Sequence, residues 1–277
     1  MNTNFIVDDY CLIWCLLFGP SVSENIYHLK KKIWSTYKNE YNEIFNDKQQ
    51  FLKDYKNFIP NNDMVYNILL EDEDYEKLKK KTEKYRLEIM GLWDKNKKIT
   101  GSLYDHIIKL EVPKHNFFVV YKELNVIEHP TNNSLILGKE INEKDNLDML
   151  VKINHIIVED VVKKYKDECN DFKEAILEFA VLNEYKTKLE NKNFYNEGSS
   201  SLKKLKKWLY PYWLMYLGIP KEEFSKRMEE DGYYFEKDKY AYEKELKKMN
   251  IEEFIDFCIR NNKYIVREGK EKRIEVL

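Results

Sequence analysis

The sequence predicts an α+β fold that is mostly α-helical, with an N-terminal helical hairpin, a small central β-sheet of about three strands and a C-terminal helical bundle. Three observations predict it. Only 8 Gly and 6 Pro punctuate 277 residues, which suits long helices better than many short strands. Over most of the chain, apolar residues recur in steps of three and four, the period of a helix with one buried face. Between Asn116 and Leu137 that period gives way to short β-branched or aromatic runs. The abundant aromatics (21 Tyr, 14 Phe and 5 Trp) bring enough apolar bulk to offset the entropy of ordering, so the chain reads as folded.

The elements follow in order. Tyr10–Phe18 is strongly apolar but far shorter than the roughly 20 residues of a membrane span. Asp8 and Asp9 precede it, where a signal peptide carries positive charge, so it reads as a core helix. Ser21-x-x-Glu24 has the form of a capping box. Ile26, Leu29, Ile33, Tyr37, Tyr41 and Ile44 then make one helical stripe, extended by Phe51, Leu52 and Tyr55. Ile59-Pro60-Asn61-Asn62 ends it. A second helix from Tyr75, with the stripe Leu78, Tyr85, Ile89 and Trp93, completes the hairpin. Three strands are expected at Asn116–Tyr121, Asn125–Ile127 and Ser134–Leu137, with Pro130, Asn132 and Asn133 supplying a turn.

Helical periodicity returns at Asp148. Leu150, Ile153, Ile157, Val161 and Tyr165 form one stripe, and a further helix runs from Phe172 to Leu189. Gly198–Ser201 is a loop whose last serine can cap the next helix. That helix carries Trp208–Tyr216, is kinked or restarted at Pro211, and closes at Gly218-Ile-Pro220. Phe224, Met228, Tyr240, Leu246, Phe254 and Ile259 mark further amphipathic helices, and Tyr264-Ile-Val266 reads as a strand or a loose tail. The chain thus divides into an N-terminal helical region, 1–112, and a sheet-plus-helix region, 113–277, unless the two form one continuous domain.

Composition narrows the function classes. Lys plus Arg is 47 and Asp plus Glu is 49, a net charge of −2. A dedicated nucleic-acid binder draws its affinity from a basic excess, so a protein partner is the better expectation. The run Lys203, Lys204, Lys206, Lys207 is either a local basic patch or a solvated helix face. Cys11, Cys15, Cys169 and Cys258 match neither a zinc motif nor a disulfide framework. They read as buried thiols of a reducing compartment, which points to a cytoplasmic protein without a membrane segment. No phosphate-binding glycine loop, Gly-x-Gly-x-x-Gly fingerprint, His-Glu-x-x-His helix or Cys-x-x-Cys pair is present. Trp208, Tyr212 and Tyr216 are either core or the walls of a pocket.

Glu178 is the one acid in the apolar run Ala175–Leu182, on the helical face of Ala175, Leu182, Tyr185 and Leu189. A carboxylate there is at least partly buried, and burial without a partner costs several kcal/mol. The partner is a metal, a His, a Lys or Arg, or tyrosine hydroxyls. One helix earlier, His155 and Glu159 stand four apart and share a face. That pair either grips an ion or is an ordinary solvated His–Glu contact. Asn154 falls near the centre of the apolar face of the same helix.

His155-Ile-Ile-Val-Glu159 followed by Glu178 resembles the gluzincin class of zinc metallopeptidases. In that class two His of a His-Glu-x-x-His helix and a Glu on the next helix bind zinc. The resemblance spans Ser134 to Asn193 and places Ser134–Gly138 as an edge strand before the active helix. It implies a tentative metal set of His155, Glu159 and Glu178. The motif's catalytic Glu falls on Ile156 and its second His on Glu159, so the resemblance implies a copy without ordinary peptidase chemistry, one that acts by binding. Read one residue earlier, Asn154 and His155 replace the His-Glu pair and Val158 the second His, and no metal site survives. The alternatives are a metal-dependent enzyme holding zinc, iron or manganese at His155, Glu159 and Glu178, or a helical interaction factor of a phage or defence system with no active site.

Overall fold

The computed structural model of the protein describes residues 3–19, 23–36, 72–121, 124, 135–138, 146–162, 170–194, 197–220, 223, 226–227 and 243–271. It is mostly helical with a small three-stranded parallel sheet. The chain forms two compact units, each discontinuous in sequence: Met1–Asp94 with Lys114–Met149, and Lys95–Pro113 with Leu150–Leu277.

The first unit holds β1 (Thr3–Ile6), α1 (Asp9–Phe18), α2 (Glu24–Thr36), α3 (Glu73–Lys95), β2 (His115–Val119) and β3 (Leu135–Leu137). The strand order is β1-β2-β3, all parallel, with Phe5 beside Phe117 and Phe117 beside Leu135. Parallel sheets are covered by helices and rich in large apolar residues. Here Phe5 packs edge-on against Trp93 of α3 and stacks on Phe117. The expected α3 stripe is buried in full at Leu78, Tyr85, Ile89 and Trp93, joined by Tyr75 and Thr82.

β1 was not expected. It is four residues long with two polar members, too brief for a period-2 pattern to register. Its partner β2 carries the matching polar face, where Asn4 Nδ2 donates to Asn116 Oδ1 at 2.9 Å. Asp8 ends the strand and caps α1, its carboxylate accepting from Cys11 N at 3.0 Å. Ser23 accepts from Ile26 N at the start of α2. The Ser21 cap, residues 37–71 of the expected hairpin, the Asn125–Ile127 strand and Ser134 lie outside the described residues.

The second unit holds α4 (Lys97–Ser102), a π-helical segment π1 (Leu103–Ile108), the body of α5 (Asn146–Val161), α6 (Asn170–Glu178), a second π-helical segment π2 (Phe179–Lys186), α7 (Thr187–Glu190), α8 (Lys203–Leu217), α9 (Glu243–Leu246), α10 (Ile251–Arg260) and α11 (Asn262–Glu271). π1 packs on π2, and α8 packs against α6, α9 and α11. Its centre is a run of aromatic contacts. Phe179 stacks on Trp213 (centroids 5.5 Å apart), Trp213 on Tyr216 (5.2 Å), and Tyr216 on Phe254 (4.6 Å). Tyr212 and Tyr216 are therefore core, not pocket walls.

Two local expectations change. Pro211 does not restart the helix: α8 runs through it as one element, and the ring is buried among Tyr210, Tyr212 and Trp213. Packing on both sides offsets the single backbone bond a proline removes. Tyr264–Val266 is neither strand nor tail but part of α11, which buries Ile265. Three β-branched or aromatic residues are too few to outweigh a helix continuing from α10. The closing of α8 is as expected: Gly218 takes a φ of +69°, with Gly218 N donating to Met215 O and Ile219 N to Leu214 O, a Schellman closure.

Candidate functional site

Glu178 is buried, at 9% exposure, in the last turn of α6. Its partner is a lysine. Lys206 Nζ donates to Glu178 Oε2 at 3.0 Å, and Ser199 N donates to Oε1 at 2.7 Å. Lys206 Nζ also donates to Glu197 O at 2.8 Å and lies 5.3 Å from the Phe179 ring centroid. Burial pulls the Lys206 ammonium below the ordinary lysine pKa, and the Glu178 carboxylate works against that shift. The pair thus ties α6 to the 197–201 loop and to α8. Gly198 is required in that loop, because its φ is +120° and a Cβ there would fall 2.0 Å from Glu178 Oε2.

Lys206 departs from the expected solvated run. Its neighbours Lys203, Lys204 and Lys207 are exposed, whereas Lys206 turns inward. On α8, position 206 shares a face with the core residues Leu202, Leu209, Tyr210 and Trp213. That i−4, i+3, i+4 and i+7 spacing is the local signal that marks Lys206 as the member that points in.

His155 is half-buried on α5 and Glu159 is exposed. Glu159 Oε1 is 4.0 Å from the ammonium of Lys173, a buried α6 lysine that also pairs with Glu174 at 3.2 Å. His155, Glu159 and Glu178 are not gathered: among the described residues, no three His, Cys, Asp or Glu side chains stand close enough to hold a metal ion. Glu159 and Glu178 each face a lysine instead.

The buried polar groups that the structure does assemble lie around π1 and π2. Tyr104 OH donates to Asn154 Oδ1 at 2.6 Å, and Asn154 Nδ2 donates to Leu150 O at 2.8 Å. Thr100 Oγ1 and the Tyr185 hydroxyl are 3.2 Å apart. Burial pushes the Tyr185 hydroxyl up to about 12 and raises Tyr104 well above the ordinary tyrosine range. Asn154 thus satisfies itself on the apolar face where the sequence placed it. Glu184 was missed. It is 4% exposed on π2, with Trp213 Nε1 donating to Oε1 at 3.3 Å and Arg227 reaching it at 3.4 Å. Burial raises its pKa, against the opposing pull of Arg227. A signal for it was present at the α period: Glu184 stands three, four and seven residues after Val181, Ala180 and Leu177, all buried.

At the other end of the aromatic run sits Lys109, in the left-handed conformation at φ 56°. Its ammonium donates to Tyr216 O at 2.9 Å and Lys247 O at 3.1 Å and lies 3.9 Å from the Tyr216 ring centroid. The Tyr216 hydroxyl donates to Ile107 O. Burial and the nearby Lys247 bring Lys109 down to about 8.

In the first unit, Asp9 at the start of α1 accepts from Tyr75 OH and from Lys79 Nζ, both at 2.8 Å. That cluster is internally satisfied and ties α1 to α3. Cys11, Cys15 and Cys258 form no disulfide and are buried, as core thiols are. Among the described residues no helix is long and apolar enough to cross a membrane. No protein-family model, no curated protein and no solved structure matches the chain.

Proposed function

We propose that the protein acts by binding a protein partner, with its helical second unit as a rigid scaffold and no metal centre at His155, Glu159 and Glu178. The observation that carries this reading is the occupation of Glu178: one oxygen takes the Lys206 ammonium and the other a backbone amide. A carboxylate so used has a structural task already. Coordinating an ion would strip Lys206 of its counter-charge, and leaving one member of a buried pair alone costs about 3–5 kcal/mol. The degenerate His155-Ile-Ile-Val-Glu159 spacing fits this reading, because neither position that departs from the peptidase motif is needed for binding.

Metal analysis of chelator-free protein, paired with urea unfolding of Glu178→Gln, Lys206→Met and the double variant, tests it. The expected result is no stoichiometric metal, and single variants that each lose more stability than the double variant adds beyond either. Near-stoichiometric zinc, iron or manganese that vanishes in Glu178→Gln would overturn the reading and restore the metal-dependent alternative.

A further inference from the structure

The exposed face of α8 raises a question that the fold does not answer. Lys203, Lys204 and Lys207 are exposed there, Trp208 is half-buried beside them, and Lys204 Nζ stands 5.1 Å from the Trp208 ring centroid. The first turn of α8 contains no acidic residue. Cations near the positive end of a helix dipole are unfavourable, by about 0.3–1 kcal/mol each at an exposed site. Among the described residues, Lys203 and Lys204 have no carboxylate partner, in contrast to Lys206, which pairs with Glu178. The chain as a whole is slightly acidic, at −2. The charges of Lys203 and Lys204 therefore stand against both the helix dipole and the global balance.

We infer that this face of α8, Lys203, Lys204, Lys207 and Trp208, docks an acidic segment of a partner protein. The inference rests on the binding reading above and names the partner's chemistry. Lys203 and Lys207 are one helical turn apart, as are Lys204 and Trp208, so the four side chains form two adjacent pairs on one side of the helix. Carboxylates spaced a turn apart on a partner helix match that arrangement. Trp208 supplies the large half-exposed aromatic surface that anchors such contacts. A nucleic acid is the poorer match. Its affinity builds on many phosphate contacts, roughly 6–10 in a typical site, and the Trp208 face that would stack on a base is attended by the Lys204 ammonium.

The full chain is titrated into a fluorescein-labelled hexaglutamate peptide and, separately, into a labelled thymidine oligonucleotide of equal charge, at low and at physiological ionic strength. The same titrations are run on Lys203→Glu/Lys204→Glu/Lys207→Glu and on Trp208→Ala, each first shown to unfold cooperatively in urea like the parent. The expected result is peptide binding that weakens with salt, falls by roughly tenfold or more in the triple variant and falls in Trp208→Ala, with weaker binding of the oligonucleotide. Tighter binding of the oligonucleotide than of the peptide overturns the inference in favour of a nucleic-acid face. Equal peptide binding by the parent and the triple variant, or no binding of either probe, overturns it outright. The scaffold reading has its own readouts, metal content and the stability of the Glu178–Lys206 pair, so a failure of this face leaves that reading standing and a failure there does not alter these titrations.

Discussion

Replacing Gly198 with alanine strikes two features of the 197–201 loop at once. The first is backbone conformation. At φ +120° an L-residue is strained, which costs about 1–3 kcal/mol. The second is the carboxylate. The new Cβ would lie 2.0 Å from Glu178 Oε2 and 2.6 Å from its Cδ. The end of a free glutamate would swing aside at little cost. Glu178 is held by Lys206 Nζ at 3.0 Å and Ser199 N at 2.7 Å, so moving it breaks two charge-assisted hydrogen bonds, worth about 1.5–3 kcal/mol each in favourable settings. The pair keeps a little solvent contact, with side-chain exposures of 7% and 11%, so the lower end of that range applies. Together the two effects come to about 4–6 kcal/mol. Urea unfolding of Gly198→Ala, Glu178→Ala and the double variant separates them. In the Glu178→Ala background the clash is gone, and only the backbone strain remains. Gly198→Ala is expected to cost about 3 kcal/mol less there than in the parent chain. An identical cost in both backgrounds would refute the reasoning, because the glycine would then serve the turn alone and not the carboxylate.

Lys109 and Tyr104 lie at or beside π1, and Cys258 lies on α10. Lys109 titrates near 8 in the folded chain and near 10.4 when unfolded, so the unfolded state binds more protons between those values. This lysine's contribution to stability therefore improves as pH rises through that window. The full shift corresponds to about 3 kcal/mol, and solvent screening of a half-exposed side chain reduces it to about half of that. The stability difference between the parent and Lys109→Met should accordingly grow with pH from 8 to 10, and a difference that is flat over that range would show that the ammonium is not desolvated. Tyr104→Phe leaves Asn154 Oδ1 buried without its donor and should cost about 1–3 kcal/mol, more than Tyr104→Phe in an Asn154→Leu background. Burial holds the Cys258 thiol far above the ordinary cysteine pKa, so iodoacetamide should modify it only at the rate of unfolding. Rapid modification under native conditions would place the thiol at an accessible surface.

The sequence was most legible where one residue type had to face one way. The α3 stripe Leu78, Tyr85, Ile89 and Trp93 is buried as its spacing requires. Glu178 is the buried acid that its apolar neighbours announced. Legibility failed where position depends on something far away in the chain. The spacing of Lys206 from Leu202, Leu209, Tyr210 and Trp213 marks it as the inward member of the run, but its partner, a carboxylate 28 residues earlier, has no local signal. β1 owes its existence to Phe5 stacking on Phe117, more than a hundred residues away, and four residues with two polar members carry no strand signal of their own.

Glu184 and Asn154 are both polar residues on apolar helical faces. The place of Asn154 followed from the ordinary 3.6-residue period. At that same period Glu184 shares a face with Leu177, Ala180 and Val181, all buried. Both side chains are satisfied by partners from other elements, which the spacing does not name. Counting 19 residues from Glu159 fixes a spacing along the chain, but the partners of Glu178 come from elsewhere, the amide of Ser199 and the ammonium of Lys206. A loop that offers a backbone N–H and leaves no room for a Cβ, with a lysine behind it, is a complete receptor for one carboxylate.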